Sequence, residues 1–346
     1  MSKRFPYARL PKEQLWKRAV ADCPADQLDP QGSAKFRFDR AARIASAGSC
    51  FAQRIATRLR DQGYAYFVTE PGGAYSARYG DVYTTLQLAQ LAQRATGAFV
   101  PAEPAWTKDG RFHDPFRPRE PHDGFASVEE LEAARATHLA AVRRLLVESD
   151  VFVFTLGLTE TWCSRADGSA FPLCPGAGIG TFDDERYSFR NLGVDENVAA
   201  LEEFLRLAWS LNPKLRVILT VSPVPLVATI EPHHVVQSSV YSKSVLRVAA
   251  ETIRNRYEQV EYFASYEMIA TPFAGIAGFK DDRREVRDDA VDRVMRSFFA
   301  AFTDAAPAAA LPTIELTLDA VANVTPQSGD DDPCLEGYLE RYVAER

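Results

Sequence analysis

The chain has 346 residues, of which 46% are hydrophobic and 25% charged, and this composition is typical of a soluble globular protein. Its net charge of −7 argues against nucleic acid as the main partner, because phosphate binding requires a basic surface. Five cysteines at irregular spacing, without a C-x-x-C pair, argue against a disulfide framework and against a zinc site.

The features of a secreted or membrane-spanning protein are also missing from the sequence. No apolar run follows Lys3 and Arg4, so no secretory signal is expected. The longest apolar run, residues 151–158, is far shorter than a membrane span. We therefore expect a reduced, cytoplasmic protein that uses no metal and no cofactor.

Strands and helices alternate along most of the chain. Residues 1–40 are predicted to form an arm that packs onto a domain, with a possible helix at 12–21. The predicted strands are 43–47, 64–68, 151–156, 216–221 and 260–263. The predicted helices are 51–62, 82–96, 128–147, 196–211 (capped by Asp195), 241–256 and 288–302.

Two stretches interrupt this alternation inside the predicted domain, residues 41–304. Residues 97–126 combine five prolines with several aromatic residues, which indicates a packed surface loop rather than a linker. Residues 163–194 are rich in glycine and proline and are predicted to be irregular. Residues 305–346 are expected to form a partly mobile tail with a possible short helix at 335–343.

The alternation predicts an α/β fold with a parallel sheet and helices on both faces. The continuous apolar run at 151–156 is typical of a central parallel strand covered on both sides. In such sheets the functional site lies beyond the carboxyl ends of the strands. Three segments that follow strands are therefore expected to converge there, namely Gly48 with Ser49, residues 157–162 and residues 222–234.

Ser49 lies between the first predicted strand and the first predicted helix. A helix begins with unpaired N–H groups and the positive end of its dipole, so a hydroxyl there can attack a carbonyl while amides receive the oxyanion. The alternative is that Ser49 is only an N-cap, a position that favours serine. Cys50 suggests a thiol nucleophile, but it should point to another helix face than Ser49.

Several motifs together resemble one protein family. Residues 48–52 read Gly-Ser-Cys-Phe-Ala, the signature that names the GSCFA domain family. Matching stretches follow in order at 79–84, 114–118, 153–162, 220–225 and 241–247. This family is similar to the SGNH (GDSL-type) hydrolases, which are esterases, lipases and acyl-transfer enzymes. The resemblance implies a three-layer, flavodoxin-like sheet across roughly residues 40–300.

The resemblance also implies roles for individual residues. Ser49 stands at the nucleophile turn, and the backbone amide of Ser49 or Cys50 is a candidate oxyanion donor. Gly80 stands where a second loop supplies a backbone donor. Residues 157–160 stand where the superfamily has Gly-x-Asn-Asp, so Thr159 replaces the side-chain amide and Glu160 the acid.

The histidine expected before the last helix is missing. The matching stretch is 282–285, with Glu285 where the resemblance implies histidine. Since a serine needs a base, we hypothesise that His234 or its neighbour His233 supplies it, oriented by Asp282 or Glu285. The alternative is that the histidine pair is a solvated loop feature.

Further residues are candidates for substrate contacts. Trp162, Tyr83 and Phe116 are candidates for lining an acyl or sugar pocket, although single aromatic residues are often part of the core. Lys243 and Arg247 lie one helical turn apart and can hold an anionic group, unless they form a solvated face. The glycine-rich stretch 176–180 follows no strand and opens no helix, so a turn is favoured over a dinucleotide loop.

Two functions are consistent with these observations. The first is a serine-dependent ester hydrolase or O-acyltransferase that acts on an acylated small molecule or carbohydrate through an acyl-Ser49 intermediate. The second is a binding or scaffold protein on a hydrolase-like fold with a decayed site, which the departures at Thr159 and Glu285 favour. Fold resemblance alone does not decide between them.

Overall fold

The computed structural model describes residues 6–304, except residues 74 and 276. The predicted tail and its short helix therefore lie outside the described residues. The strands are β1 (Ile44–Gly48), β2 (Trp106–Lys108), β3 (Arg111–His113), β4 (Val151–Leu156), β5 (Glu160–Ser164), β6 (Ala170–Phe171), β7 (Tyr187–Asn191), β8 (Arg216–Val221) and β9 (Val260–Phe263). The α-helices are α1 (Cys50–Asp61), α2 (Thr85–Thr96), α3 (Val128–Glu148), α4 (Val194–Leu211), α5 (Val235–Arg256), α6 (Ser265–Ala270) and α7 (Asp288–Phe302).

The main sheet contains β1, β4, β8 and β9 in that spatial order, and every neighbouring pair is parallel. All six residues of β4 are buried. The continuous apolar run of this strand suits its place between β1 and β8, where helices cover both of its sides. The prediction of a central strand here is confirmed.

The helices form two groups. Helices α1 and α6 each contact α7, whereas α2, α3, α4 and α5 contact one another. Each group also packs on the sheet, α1 on β1 and β4, and α5 on β8 and β9. The sheet is thus flanked by helix layers, which confirms the predicted α/β class with a parallel sheet. None of the described helices is both long and apolar enough to cross a membrane.

The predicted strand at 64–68 is reduced to a single bridge between Tyr66 and Ile44. This segment lies beside β1 at the edge of the sheet, where the N–H of Phe67 donates to the carbonyl of Ile44. The pairing stops there because the next outward N–H of β1, on Ser46, donates to the hydroxyl of Ser76. A side chain therefore replaces the backbone partner that a strand would have provided.

Both interrupting stretches contain strands. Residues 163–194 are expected to be irregular, but the end of β5, with β6 and β7, forms a three-stranded antiparallel sheet there. The strands are short and separated by glycine-rich turns, so their alternation is weak in the sequence. Residues 97–126 contain the β2–β3 hairpin. Aromatic and aliphatic residues of both stretches bury one another in a second core, made of Trp106, Phe116, Phe171, Leu173, Ala177, Ile179 and Tyr187.

Several helix starts differ from the prediction because of capping. Helix α5 begins six residues earlier than expected, and its N-cap is His234. Helix α4 begins after Gly193 rather than Asp195, because the Glu196 carboxylate accepts the N–H of Gly193 at 2.8 Å. Helix α2 begins at residue 85, where Thr84 forms a capping box. The predicted helix at 12–21 consists of a 3-10 turn and a separate π turn.

Candidate functional site

The turn after β1 requires glycine at position 48. Gly48 has a φ of +145° and is paired with Thr155 of β4. A Cβ on Gly48 would lie 2.6 Å from the carbonyl oxygen of Thr155, which no side chain tolerates. Because the backbone passes so close to β4, the next residue, Ser49, is held at the carboxyl end of β1 as the N-cap of α1.

The hydroxyl of Ser49 is buried but has no hydrogen-bond partner among residues 6–304 as described. Its side chain is 3% exposed and makes no capping hydrogen bond to α1. The N-cap interpretation is therefore right about the position and does not account for the hydroxyl. A buried hydroxyl left without a partner costs about 1–3 kcal/mol, so a functional explanation is warranted.

The loop after β4 packs directly against Ser49. A Cβ built on Gly157 would lie 3.3 Å from the Ser49 Cβ, so only glycine leaves this space open. The carbonyl of Tyr83 fixes the loop by accepting the N–H groups of Gly157 at 2.9 Å and Leu158 at 3.2 Å. The ammonium group of Lys243, which is 4% exposed, donates to the carbonyl of Gly157. Ser49 and Lys243 thus flank the same glycine.

Thr159 is held in place by its neighbours. Its backbone N–H donates to the hydroxyl of Ser242 at 3.0 Å. Its own hydroxyl donates to Oδ1 of Asn191 at 2.6 Å, and Asn191 in turn donates to Glu231 at 3.1 Å. The Thr159 proton is therefore occupied here, and the hydroxyl is not presented to an oxyanion at Ser49.

Glu160 joins the loop after β4 to the loop after β8. Its carboxylate accepts the hydroxyl of Thr229 at 2.7 Å. Burial raises the pKa of Glu160, and the charge of Glu231 raises it further, against the lowering effect of the Thr229 hydrogen bond. Together with the contact between Gly157 and Ser49, this bond shows that the three predicted segments do converge.

The histidine pair has contacts other than those expected. His234 is exposed, and its Nδ1 accepts the N–H of Val236 at 3.2 Å as the cap of α5. The Nδ1 lone pair is occupied by this hydrogen bond and is not available to Ser49. His233 is also exposed and lines a separate cavity of about 260 Å³ beside Glu231 and Asn191.

The acids proposed to orient these histidines lie in an exposed turn before α7. Asp282 accepts the N–H groups of Arg284 and Glu285, each at 3.0 Å. The Glu285 carboxylate pairs with Lys280 at 2.6 Å. These contacts are local to the turn, and the structure does not bring the acids into contact with the histidines.

Gly80 belongs to a loop beside the Ser49 turn, because the N–H of Val82 donates to the carbonyl of Gly48 at 3.0 Å, whereas Arg247 is engaged in ion pairs. Gly80 lines a polar cavity of about 340 Å³ and precedes Asp81, whose carboxylate accepts the hydroxyl of Tyr83 at 3.0 Å. Arg247 pairs with Glu251 and Glu267, each at 2.8 Å. It therefore does not share an anion site with Lys243, and the expectation of such a pair is not met.

An apolar cavity lies close to the turn, among the described residues. Its volume is about 380 Å³, and Tyr83, Leu158 and Trp162 line it. Phe116, the third aromatic residue expected there, lies in the second core instead. The glycine-rich stretch 176–180 forms turns, and Gly180 packs on the ring of Trp106.

Two parts of this arrangement were not anticipated from the sequence. One is the bond from Lys243 to a backbone carbonyl beside Ser49. The other is Asn191, which lies within the stretch predicted to be irregular and pairs across from Glu160 in the antiparallel sheet. An alternating pattern in residues 187–191 was the available signal for Asn191. No sequence signal indicated which carbonyl Lys243 would contact.

A model of the GSCFA family matches residues 43–298, well over half of the chain. The matched range contains every motif that carries the resemblance, so the family is confirmed. Comparison with curated proteins gave no match.

Three solved structures are similar at low levels. A candidate platelet activating factor from Streptococcus pneumonia is 13% identical, with a TM-score of 0.27. The match covers 49% of this chain and 65% of the other, so this chain spans less than two thirds of that protein's length. A carbohydrate esterase family 3 protein from Talaromyces cellulolyticus is 12% identical with a TM-score of 0.29, over 74% and 94%. An acetyl esterase mutant with acetate ion is 12% identical with a TM-score of 0.27, over 73% and 92%. Similarity at this level carries no argument about the site.

Proposed function

This chain belongs to the GSCFA family, and we propose that it is a serine-dependent ester hydrolase or O-acyltransferase. Ser49 is the nucleophile, and the acyl group passes through an acyl-Ser49 intermediate. Water or a second hydroxyl then takes the acyl group. The substrate class is a neutral ester of a small molecule or carbohydrate.

The main support for this proposal is the burial of the Ser49 hydroxyl without a hydrogen-bond partner among the described residues. This hydroxyl is buried, makes no capping hydrogen bond and has no other partner in the described part of the chain. A hydroxyl whose only role was to cap α1 would donate or accept there. The unpaired hydroxyl is instead available to a group that enters the site.

The N-terminus of α1 supports the oxyanion. The first N–H groups of a helix have no intrahelical partners, and the helix dipole is positive at this end. The amides of Ser49 and Cys50 are therefore suited to a carbonyl oxygen that becomes negative as Ser49 attacks. Such donors typically contribute a factor of about 10²–10³ to the rate.

Lys243 is the proton acceptor that we assign to this reaction. Its amine reaches the Gly157 carbonyl from α5, and Gly157 contacts Ser49. In its neutral form the amine takes the proton of Ser49 as Oγ bonds to the acyl carbon. It then returns that proton to the departing alkoxide, so the alcohol leaves neutral. His234 and His233 remain the alternative base, and each requires a movement of its loop.

Labelling with a fluorophosphonate tests the nucleophile. We expect mass spectrometry of the digested protein to find the phosphonyl group on Ser49 in the native chain and in Cys50→Ser. We expect no label in Ser49→Ala. Circular dichroism of each variant establishes that it is folded. Iodoacetamide labelling that inactivates the native chain but not Cys50→Ser would instead identify a thiol nucleophile.

A folded native chain that takes no label would favour the second function, a binding or scaffold protein with a decayed site. One observation favours that alternative, because the hydroxyl of Thr159 is bonded to Asn191 rather than presented to Ser49. The labelling experiment thus separates the two functions without knowledge of the natural substrate.

A further inference from the structure

The cavity beside the Ser49 turn is almost entirely apolar. Among the described residues that line its volume of about 380 Å³, Glu160 is the one with a charged side chain. Five aromatic rings contribute to the wall, and among them Trp162 meets Phe182 and Phe189 edge to face at centroid distances of 5.1 and 5.7 Å. A volume above about 300 Å³ with a few polar groups is typical of a small-molecule site.

The rim of this cavity exposes large apolar side chains. Phe182 is 46% exposed and Ile230 is 63% exposed, and both line the cavity. Single exposed apolar residues need no explanation, but two that line the same apolar cavity enlarge the apolar surface that it offers to a ligand. Such a surface gains free energy when an apolar ligand removes it from water.

The cavity shares two lining residues with the surroundings of the proposed nucleophile. Tyr83 and Leu158 line the cavity, and both also pack with Cys50 in a small apolar cluster. Leu158 directly follows Gly157, which contacts the Ser49 side chain. A group in the cavity therefore lies next to the turn where the acyl carbon would be attacked.

Negative charge at the cavity favours neutral apolar ligands over anionic ones. Glu160 is the charged residue among the described residues of the lining, and the nearby charge of Glu231 adds to the negative potential there. An anionic ligand would be repelled, whereas a neutral ester would not. The same repulsion favours release of a carboxylate product after hydrolysis.

We propose that this cavity binds the acyl group of the substrate, and that this group is an apolar chain or ring considerably larger than acetyl. The acyl assignment rests on the hydrolase function proposed above. The cavity itself is a binding site for neutral apolar ligands whether or not Ser49 reacts. An acetylated carbohydrate would leave this volume unfilled and its apolar rim exposed to water.

A chain-length series of p-nitrophenyl esters tests the acyl assignment. From acetate through butyrate to octanoate, we expect kcat/KM to rise by about fourfold for each buried methylene until the cavity is filled. The variant Ala228→Trp places a large ring at the cavity mouth, and we expect it to reduce the octanoate-to-acetate ratio at least tenfold. Ala140→Trp, at an exposed position on α3 outside the cavity, is the matched control and should keep the ratio.

A binding measurement separates this inference from the hydrolase proposal. In Ser49→Ala we expect the neutral dye N-phenyl-1-naphthylamine to fluoresce on binding and methyl octanoate to displace it. Ala228→Trp in the same background should weaken binding at least tenfold, and Ala140→Trp should not. Dye binding without any ester turnover by the native chain would support the apolar site and overturn the hydrolase proposal. Turnover that prefers acetate, with no dye binding, would overturn the inference and leave the hydrolase proposal standing.

Discussion

Lys243 donates a hydrogen bond from α5 to the carbonyl of Gly157, 86 residues earlier in the chain. This contact places a buried amine at Gly157, the residue that packs beside the Ser49 side chain. Because of this contact, we assign Lys243 as the proton acceptor of the proposed reaction. The hydrogen bond to this carbonyl helps to offset the cost of burying the ammonium group, which is 4% exposed.

The first prediction concerns Lys243→Met, which keeps the length of the side chain and removes the amine. We expect the rate of fluorophosphonate labelling at Ser49 to fall by a factor of about 10²–10⁴, the usual contribution of a general base. The pH dependence should change as well, because the native rate rises as the amine loses its proton and the variant rate does not. Lys214→Met, at an exposed position before β8, is the control. A folded Lys243→Met protein that labels at the native rate would refute the assignment.

The second prediction distinguishes the two roles of His234. As the cap of α5, it should be replaceable by asparagine, a good cap residue, but not by alanine. We expect His234→Ala to lose about 1 kcal/mol of stability and His234→Asn to lose little, measured by urea unfolding. Labelling of Ser49 should survive in both variants, and in the double variant with His233→Ala. Equal loss of labelling in the Ala and Asn variants would restore the imidazole as the base.

The third prediction concerns the turn before α1. Gly48→Ala places a methyl group 2.6 Å from the Thr155 carbonyl at a φ that disfavours side chains. We expect a loss of about 3 kcal/mol in the free energy of unfolding, from strain and displacement of β4. Gly32→Ala is the control, since its Cβ would meet no atom within 4 Å, and it should change stability by less than about 1 kcal/mol. If both variants unfold at the same urea concentration, the turn is more adaptable than the structure indicates.

The fourth prediction concerns stability at low pH. Asp114 is 1% exposed and accepts hydrogen bonds from Arg117 and Arg135, each at 3.2 Å. Burial alone would raise the pKa of Asp114, but the charges of Arg135, Arg94 and Arg117 outweigh it and lower the pKa from 3.8 to about 2. The stabilisation of about 2 kcal/mol is therefore complete above pH 4 and is lost as the pH falls towards 2.

Urea unfolding between pH 5 and pH 2 checks this contribution. Asp114→Asn should unfold more easily by about 3 kcal/mol at pH 5, because it leaves buried guanidinium groups without their counter-charge. Its stability should also fall less steeply than that of the native chain below pH 4. Asp184→Asn, an exposed position in the second insertion, should follow the native curve. Parallel curves for the native chain and Asp114→Asn would show that other groups dominate acid unfolding.

The sequence predicted the parallel sheet well because its signals are local. The apolar run of β4 is continuous, and glycine followed by serine after β1 marks a tight turn into a helix. The prediction of a strand at residues 64–68 was wrong, because the hydroxyl of Ser76 accepts the outward N–H of Ser46 in β1 in place of a strand. Such a substitution depends on a distant loop and leaves no local pattern.

The site was predicted in its location and less well in its contacts. Ser49, Gly157 and Glu160 follow strand ends, so their convergence could be deduced from topology alone. The partner of each polar side chain could not be deduced. The hydroxyl of Thr159 bonds to Asn191, 32 residues away, and His234 serves its own helix. These choices are made by packing geometry, which residue type and spacing do not encode.

The second core has a consequence for how this architecture can diversify. Trp106 and Phe116 from one insertion pack with Phe171 and Tyr187 from the other, apart from the core around the parallel sheet. Changes in these side chains can reshape the apolar wall while the strands that hold the reactive turn keep their packing. Ligand preference can therefore change between homologues with little loss of stability in the parallel sheet. A chimera that takes residues 160–192 from a homologue should acquire that homologue's ligand preference and keep the same sheet.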